Sequence, residues 1–270
     1  MEGLCFNMKK FARILCFALL IALAVSLGAC QKEQTTFTVG FDAEFPPYGY
    51  KDASGEYVGF DLDLAAEVCK RNDWTLKKQP IDWDSKDMEL SSGTIDCIWN
   101  GFTINNRESL YTWSVPYVDN SQVVVVAASS GITALSDLAG KVVVVQNDSS
   151  ALASLTDEKF PENIALAATF KDLQQVADYN TAFLNLESGV VDAIGMDIGV
   201  AEYQMSQRED GKYIILDEIL AAEQYGVGFF LGKTELRDTV QNTLLKMVED
   251  GTFATIAEKW GLTNSVCLGK

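Results

Sequence analysis

Apolar positions along the chain follow two rhythms. Short dense runs at Thr38 to Phe41, Leu76 to Ile81, Ile95 to Ile98, Gln122 to Ala128, Val142 to Val145, Ile164 to Ala167, Val190 to Met196, Tyr213 to Leu216 and Tyr225 to Leu231 predict strands. Between them the period changes. Leu64, Ala65, Val68 and Cys69 fall on one helical face, as do Leu236, Val240, Leu244, Met247 and Val248, and then Phe253, Ile256, Ala257 and Trp260. The first of these helices opens at Gly59-Phe60-Asp61, with Asp61 as its N-cap, and stops near Asn72. Further helical segments are expected near Asp87 to Leu90, Asp178 to Ser188 and Ile198 to Gln207, with Gly93 and Gly189 as stops. Strands alternate with helices, so the class is α/β with mainly parallel sheets. No fixed-period repeat and no Gly/Ser or Pro linker interrupts the pattern. Two domains without a linker imply that the chain crosses between them through strands.

The first stretch follows another logic. Lys9, Lys10 and Arg13 precede an apolar run from Ile14 to Leu27, which is short of the ~20 residues a membrane span needs and reads as a signal peptide. Met8 is an alternative start to Met1. The run closes in Leu27-Gly28-Ala29-Cys30, which resembles the bacterial lipobox. That resemblance implies a signal peptide over 1–29, lipid on Cys30 and a polar tether over 30–36. Two acyl chains anchor stably where one is marginal. Ordinary signal cleavage beside a chance cysteine is the alternative.

Composition narrows the function. A net charge of −17 opposes binding to nucleic acid, whose phosphates need Lys and Arg. The absence of His removes Ser-His-Asp and Cys-His catalysis and the commonest metal ligand. Cys69, Cys97 and Cys267 remain beyond the signal, an odd number without metal spacing, so neither a complete disulfide framework nor a metal site is expected. Cys69 and Cys97 read as small core residues.

The richest chemistry lies in Trp99-Asn100-Gly101-Phe102-Thr103-Ile104-Asn105-Asn106-Arg107, just after a predicted strand. Gly101 admits a ligand to bare backbone N–H groups, Thr103 adds a hydroxyl, and Arg107 is a planar fork suited to a carboxylate. Open α/β sheets bind ligands at such strand ends. A solvated turn with a surface arginine is the plain alternative. Asp42, after the first strand, either accepts from a ligand amine or caps a turn. Phe45, held by Pro46-Pro47, is a pocket wall or core. Ser149 and Ser150 seat an anion at a helix N-terminus or only cap it. Asp197 caps the helix after it or faces an ammonium.

The ordered set of motifs resembles the extracytoplasmic solute-binding proteins of polar amino-acid ABC importers. It runs from Val39-Gly40-Phe41-Asp42-Ala43-Glu44-Phe45-Pro46-Pro47-Tyr48 through Gly101-Phe102-Thr103-Ile104, Ser114-Val115-Pro116-Tyr117, Asp137-Leu138-Ala139-Gly140-Lys141-Val142 and Tyr225-Gly226-Val227-Gly228-Phe229 to Lys259-Trp260-Gly261. The resemblance implies a two-lobe periplasmic-binding-protein type II fold, with a mainly parallel sheet in each lobe and two crossover hinge strands. Lobe 1 would span 37–122 and 223–270, and lobe 2 would span 123–222. It implies that Arg107 and Thr103, beside Asn100 and Gly101, bind an α-carboxylate that Ser150 and Ser149 reach from the second lobe. Asp197 would bind the α-ammonium. Asp42, Phe45 and Phe60 would line the side-chain pocket, the two rings sandwiching the ligand. The implied protein is a non-enzymatic monomer without cofactor, lipid-anchored outside the cell membrane, that passes a polar or cationic amino acid to a permease and its ATPase. A dehydratase-like enzyme on the same fold, with Asp42 or Glu44 as base, and a surface adhesin or ligand sensor are the alternatives. Three departures from the family pattern stand out. The loop from Thr103 to Arg107 is one residue short, Asp148 replaces a usual glycine, and Trp99 is large enough to narrow the pocket.

Overall fold

In the computed structural model, residues 35–270 are described; the signal segment, Cys30 and most of the tether lie outside them. The fold starts from β1 (Thr36–Phe41), buried at every position after Thr36. A small antiparallel sheet follows, formed by β2 (Glu44–Phe45), β3 (Gly49–Lys51) and β4 (Tyr57–Val58). It delivers the chain to α1 (Phe60–Arg71), whose Leu64, Val68 and Cys69 face inward as the helical period predicts. β5 (Thr75–Pro80) returns parallel to β1. A tight turn at Trp83–Ser85 enters α2 (Lys86–Ser92), which Gly93 stops in the left-handed conformation. β6 (Cys97–Ile98) and β7 (Thr112–Trp113) complete this part of the first sheet.

The ten-residue β8 (Val118–Ala127) then carries the chain away from it. The second sheet is built on β9 (Val142–Gln146), with α3 (Ser150–Thr156) and α4 (Pro161–Ala167) following. Next come β10 (Asp172–Val176), α5 (Tyr179–Glu187), β11 (Ala193–Asp197), α6 (Ile198–Ser206) and β12 (Tyr213–Ile215). β13 (Ala221–Tyr225) leads back to β14 (Gly228–Phe229), α7 (Thr234–Glu249) and α8 (Thr252–Lys259).

The sheet orders are β5-β1-β6-β14-β7 and β10-β9-β11-β8-β12. Four strands of each order run in one direction; only β14 in the first and β8 in the second run against their neighbours. Both sheets are therefore mixed, because the chain crosses over and returns. The crossing is made by β8 and β13, paired antiparallel with Asn120 opposite Glu223 and Gln122 opposite Ala221. The strand expected at Ile164 to Ala167 is part of α4. Pro161 sits in its first turn, where a fixed φ and a missing N–H cost nothing. The strand comes later, at β10, where Asp172, Gln174 and Gln175 dilute the apolar signal.

Candidate ligand-binding cleft

The loop after β6 is held from below. Gly101 has φ 56° and donates its N–H to Asp61 Oδ2 at 2.6 Å, and the Tyr117 hydroxyl donates to the same oxygen at 2.8 Å. Asp61 is thus not the cap of α1; Gly59 holds that position. Burial pushes the Asp61 carboxyl up to about 7, with the Gly101 and Tyr117 bonds opposing. The bare N–H expected at Gly101 is already used, since a buried backbone donor needs a partner. Glycine is needed there for contact as well. A Cβ would lie 2.9 Å from the Phe45 ring and 3.0 Å from that of Tyr225.

Further along, Arg107 rests its guanidinium over the Phe102 ring and donates to the Asp148 carbonyl at 3.3 Å. The short loop therefore does not prevent it from reaching the residues after β9. Asp148, at φ 50°, turns its own carboxylate back to the Lys86 ammonium.

The second sheet contributes through strand ends and helix starts. Ser149 Oγ accepts the Leu152 N–H at 3.0 Å and caps α3, while the Ser150 hydroxyl points to Glu223. Asp197 occupies the N-cap position of α6 but makes no side-chain capping bond. Its Oδ1 instead accepts from Asn120 and Gln122 at 2.8 and 2.7 Å and from the Tyr225 hydroxyl at 2.5 Å. Burial foremost, then the Glu223 carboxylate, pushes Asp197 up to about 7; the Tyr225, Gln122 and Asn120 bonds oppose.

Seven of the residues read from the sequence line one cleft: Phe45, Gly101, Thr103, Arg107, Ser149, Ser150 and Asp197. Trp83 and Gln146 join them, and the space they enclose is about 10 Å³. That is room for about one water, so the cleft is shut. Bonds that join the lobes beside it include Gln146 Nε2 to Asp42 Oδ2 at 2.6 Å, Tyr203 to Tyr50 at 3.2 Å, and Asn180 to Glu44.

The other three sit elsewhere. Asp42 lines an adjoining depression of about 370 Å³ with Glu44, Asp82, Asp84 and Asp178. Burial pushes Asp42 up to about 6, against the Glu44 N–H and Gln146, with Asp178 and Glu44 adding repulsion. Asn100 accepts the Asp42 N–H at 2.9 Å and lies beneath that residue. Phe60 is fully buried among Tyr48, Tyr117 and Phe253 and forms no sandwich with Phe45. Just before it Gly59 sits at φ 148°, where a Cβ would stand 2.1 Å from the Tyr48 carbonyl oxygen, so the backbone enters the helix pressed against the Tyr48 backbone. The ring near Phe45 from the second lobe is Tyr179, at the start of α5, with centroids 6.1 Å apart. Trp99 is likewise core, packed against Tyr117, and does not narrow the cleft.

Sequence reasoning missed Trp83, Asn120, Gln122, Gln146 and Glu223. Glu223 is 5% exposed and engages three parts of the fold. Its Oε1 accepts from Thr103 at 2.9 Å, Asn120 at 2.7 Å and Gln122 at 2.8 Å, and its Oε2 takes the Ser150 hydroxyl. The alternation in β13, which buries Glu223 and Tyr225 on one face, was the available signal.

Two lobes meeting over a polar cleft, with two antiparallel strands between them, have a known counterpart. Residues 37–263 match the bacterial extracellular solute-binding proteins, family 3. The chain belongs to this family. Its fold is the type II periplasmic-binding-protein fold, and family membership makes it an extracytoplasmic solute-binding protein rather than an enzyme. It is 27% identical over 232 residues to the L-cystine-binding protein TcyJ of Escherichia coli, covering 85% of this chain and 84% of that protein. It is 29% identical over 259 residues to a putative ABC transporter arginine-binding protein of Escherichia coli, covering 94% and 99%. A solved substrate-binding protein of a Streptococcus pneumoniae ABC uptake transporter, with bound histidine, superposes with TM-score 0.78 at 34% identity, covering 83% of this chain and 92% of that one.

Proposed function

We propose that this family 3 protein captures a polar or cationic amino acid by closure of its two lobes and presents it to an ABC permease. Arg107, Thr103, Ser149 and Ser150 receive the α-carboxylate, Asp197 receives the α-ammonium, and the side chain runs past Phe45 toward Asp42. The observation that carries this reading is that Arg107 and Asp197, from different lobes, line one cleft. A zwitterion needs a cation at one end and an anion at the other, so it binds best when both lobes touch it. Closure is then a population shift driven by that difference in contacts. A micromolar dissociation constant requires about −8 kcal/mol, which a few charge-assisted hydrogen bonds at roughly 1.5–3 kcal/mol each supply.

The side-chain class follows from charge. Asp42 and the acidic depression beside it favour a cationic or amide tip, and the named ligands of the relatives include arginine, histidine and cystine. A thermal-shift screen over the twenty amino acids with cystine and ornithine tests it, since a ligand specific to the folded state raises the melting temperature. A rise with arginine, lysine or ornithine supports the reading, and no rise with any amino acid refutes it. Lipidation at Cys30 is part of the same proposal. It is checked by detergent-phase partition of the native protein, which a Cys30→Ser change should move to the aqueous phase.

A further inference from the structure

Asp197 and Glu223 are two buried carboxylates side by side. They share both of their amide donors: Asn120 Nδ2 reaches Asp197 at 2.8 Å and Glu223 at 2.7 Å, and Gln122 Nε2 reaches them at 2.7 and 2.8 Å. Their other partners are the hydroxyls of Thr103, Ser150 and Tyr225. Among the described residues no lysine or arginine forms an ion pair with either. Burial and then the neighbouring Glu223 carboxylate raise Asp197 to about 7, so this is a place where a proton is held near neutral pH.

We propose that Glu223 and Asp197 form a paired-carboxylate seat on the hinge side of the cleft, which holds one proton when empty and exchanges it for the ammonium group of the ligand. This rests on the amino-acid reading above and adds a residue and a linked proton to it. The atoms balance simply: an ammonium enters as a cation, the shared proton leaves to solvent, and the pair then carries two negative charges against one bound cation. Placement supports the role. Glu223 belongs to β13, one of the two crossing strands, and binds Thr103 from the first lobe and Ser150 from the second. Those two hydroxyls are the ones assigned to the ligand carboxylate. An arriving ligand therefore releases the outer face of Glu223, while Asn120 and Gln122 keep its Oε1 in place. The groups facing the pair are few. Tyr48, Tyr179 and Tyr225 are held neutral by burial. Arg107 and Asp148 share with Glu223 the lining of a neighbouring depression of about 570 Å³, and Asp148 is already engaged with Lys86. Asp42 and Asp61 lie on the first-lobe side, and among the described residues neither is in an ion pair.

Two measurements on the full chain test this. In the first, ligand-free protein is titrated potentiometrically from pH 8.5 to 5.5. Wild type should take up about one proton more than Asp197→Asn, with Glu223→Gln between the two, and equal uptake in all three overturns the shared proton. In the second, L-arginine, L-histidine and L-cystine are titrated calorimetrically into wild type and Glu223→Gln at pH 7, in phosphate and in Tris. Wild type should release about half a proton per ligand at pH 7 and bind about tenfold tighter at pH 8 than at pH 6. Glu223→Gln should release less and show a flatter profile, because burial still raises Asp197 but the Glu223 repulsion is gone. Binding without proton release in wild type, or the same release in the variant, overturns the seat and leaves the amino-acid reading standing. If no amino acid binds, that reading falls and the exchange falls with it, while the ligand-free titration still judges the shared proton separately.

Discussion

Lys86 and Asp148 join the two lobes: the lysine ammonium, on a side chain only 2% exposed, is paired with the Asp148 carboxylate. Burial pulls Lys86 below its ordinary range and the Asp148 partner pulls it back. Opening the lobes separates the pair, so it acts as a latch on the closed form. The Asp148 side chain is 53% exposed, which tempers its value to the lower end of what a charged hydrogen bond contributes.

Asp148→Gly is therefore expected to shift the lobes toward the open form without unfolding the chain. Small-angle scattering of the ligand-free protein should show a larger radius of gyration in the variant. Stopped-flow should show ligand leaving several-fold faster, by about 1 kcal/mol. An unchanged scattering profile would show that the pair does not hold the lobes together.

Phe45 and Phe60 should part company. Phe60→Ala empties a fully buried site and is expected to cost about 3–5 kcal/mol of stability in denaturant unfolding, with ligand affinity preserved in the protein that remains folded. Phe45→Ala, at the cleft wall, should weaken ligand binding while unfolding less easily than Phe60→Ala. The reverse order would restore the sandwich that the sequence suggested.

Stability should rise as the pH falls from 8 toward 5. Asp61 is raised to about 7 in the folded chain, against an ordinary value near 4, so the folded state holds its proton where the unfolded state has lost it. Its contribution is complete below the unfolded value and disappears as pH climbs through about 7. Asp42 and Asp197 act in the same direction. Because the net charge of −17 adds a general repulsion of like sign, the informative quantity is the difference between wild type and Asp61→Asn. Melting temperatures from pH 5 to 8 should slope less steeply in Asp61→Asn, and parallel slopes would contradict the assignment.

The helical stripes of α1, α7 and α8 were legible because each buries one face against a sheet, and period alone reports that. α4 was misread because four apolar residues look alike in strand and helix; Pro161, three residues ahead of Ile164, held the answer. At the cleft, Arg107, Thr103, Ser150 and Asp197 were legible as residue types at strand ends and helix starts. Glu223 was not, because its role depends on facing Asn120 across the paired strands β8 and β13, a relation between residues about a hundred positions apart. Asp61 shows the same limit. Its place near a helix start suggested a cap, and only the fold reveals Gly101 and Tyr117 above it.

Calorimetry on Arg107→Ala and Asp197→Ala tests most directly the proposed grip of two opposed charges on one zwitterion. With the amino acid that gives the largest thermal shift, wild type should bind in the micromolar range or tighter. Both variants should lose at least a hundredfold in affinity, about 2.7 kcal/mol, while their circular dichroism stays that of the wild type. Affinity within a few-fold of wild type in either variant would contradict the account.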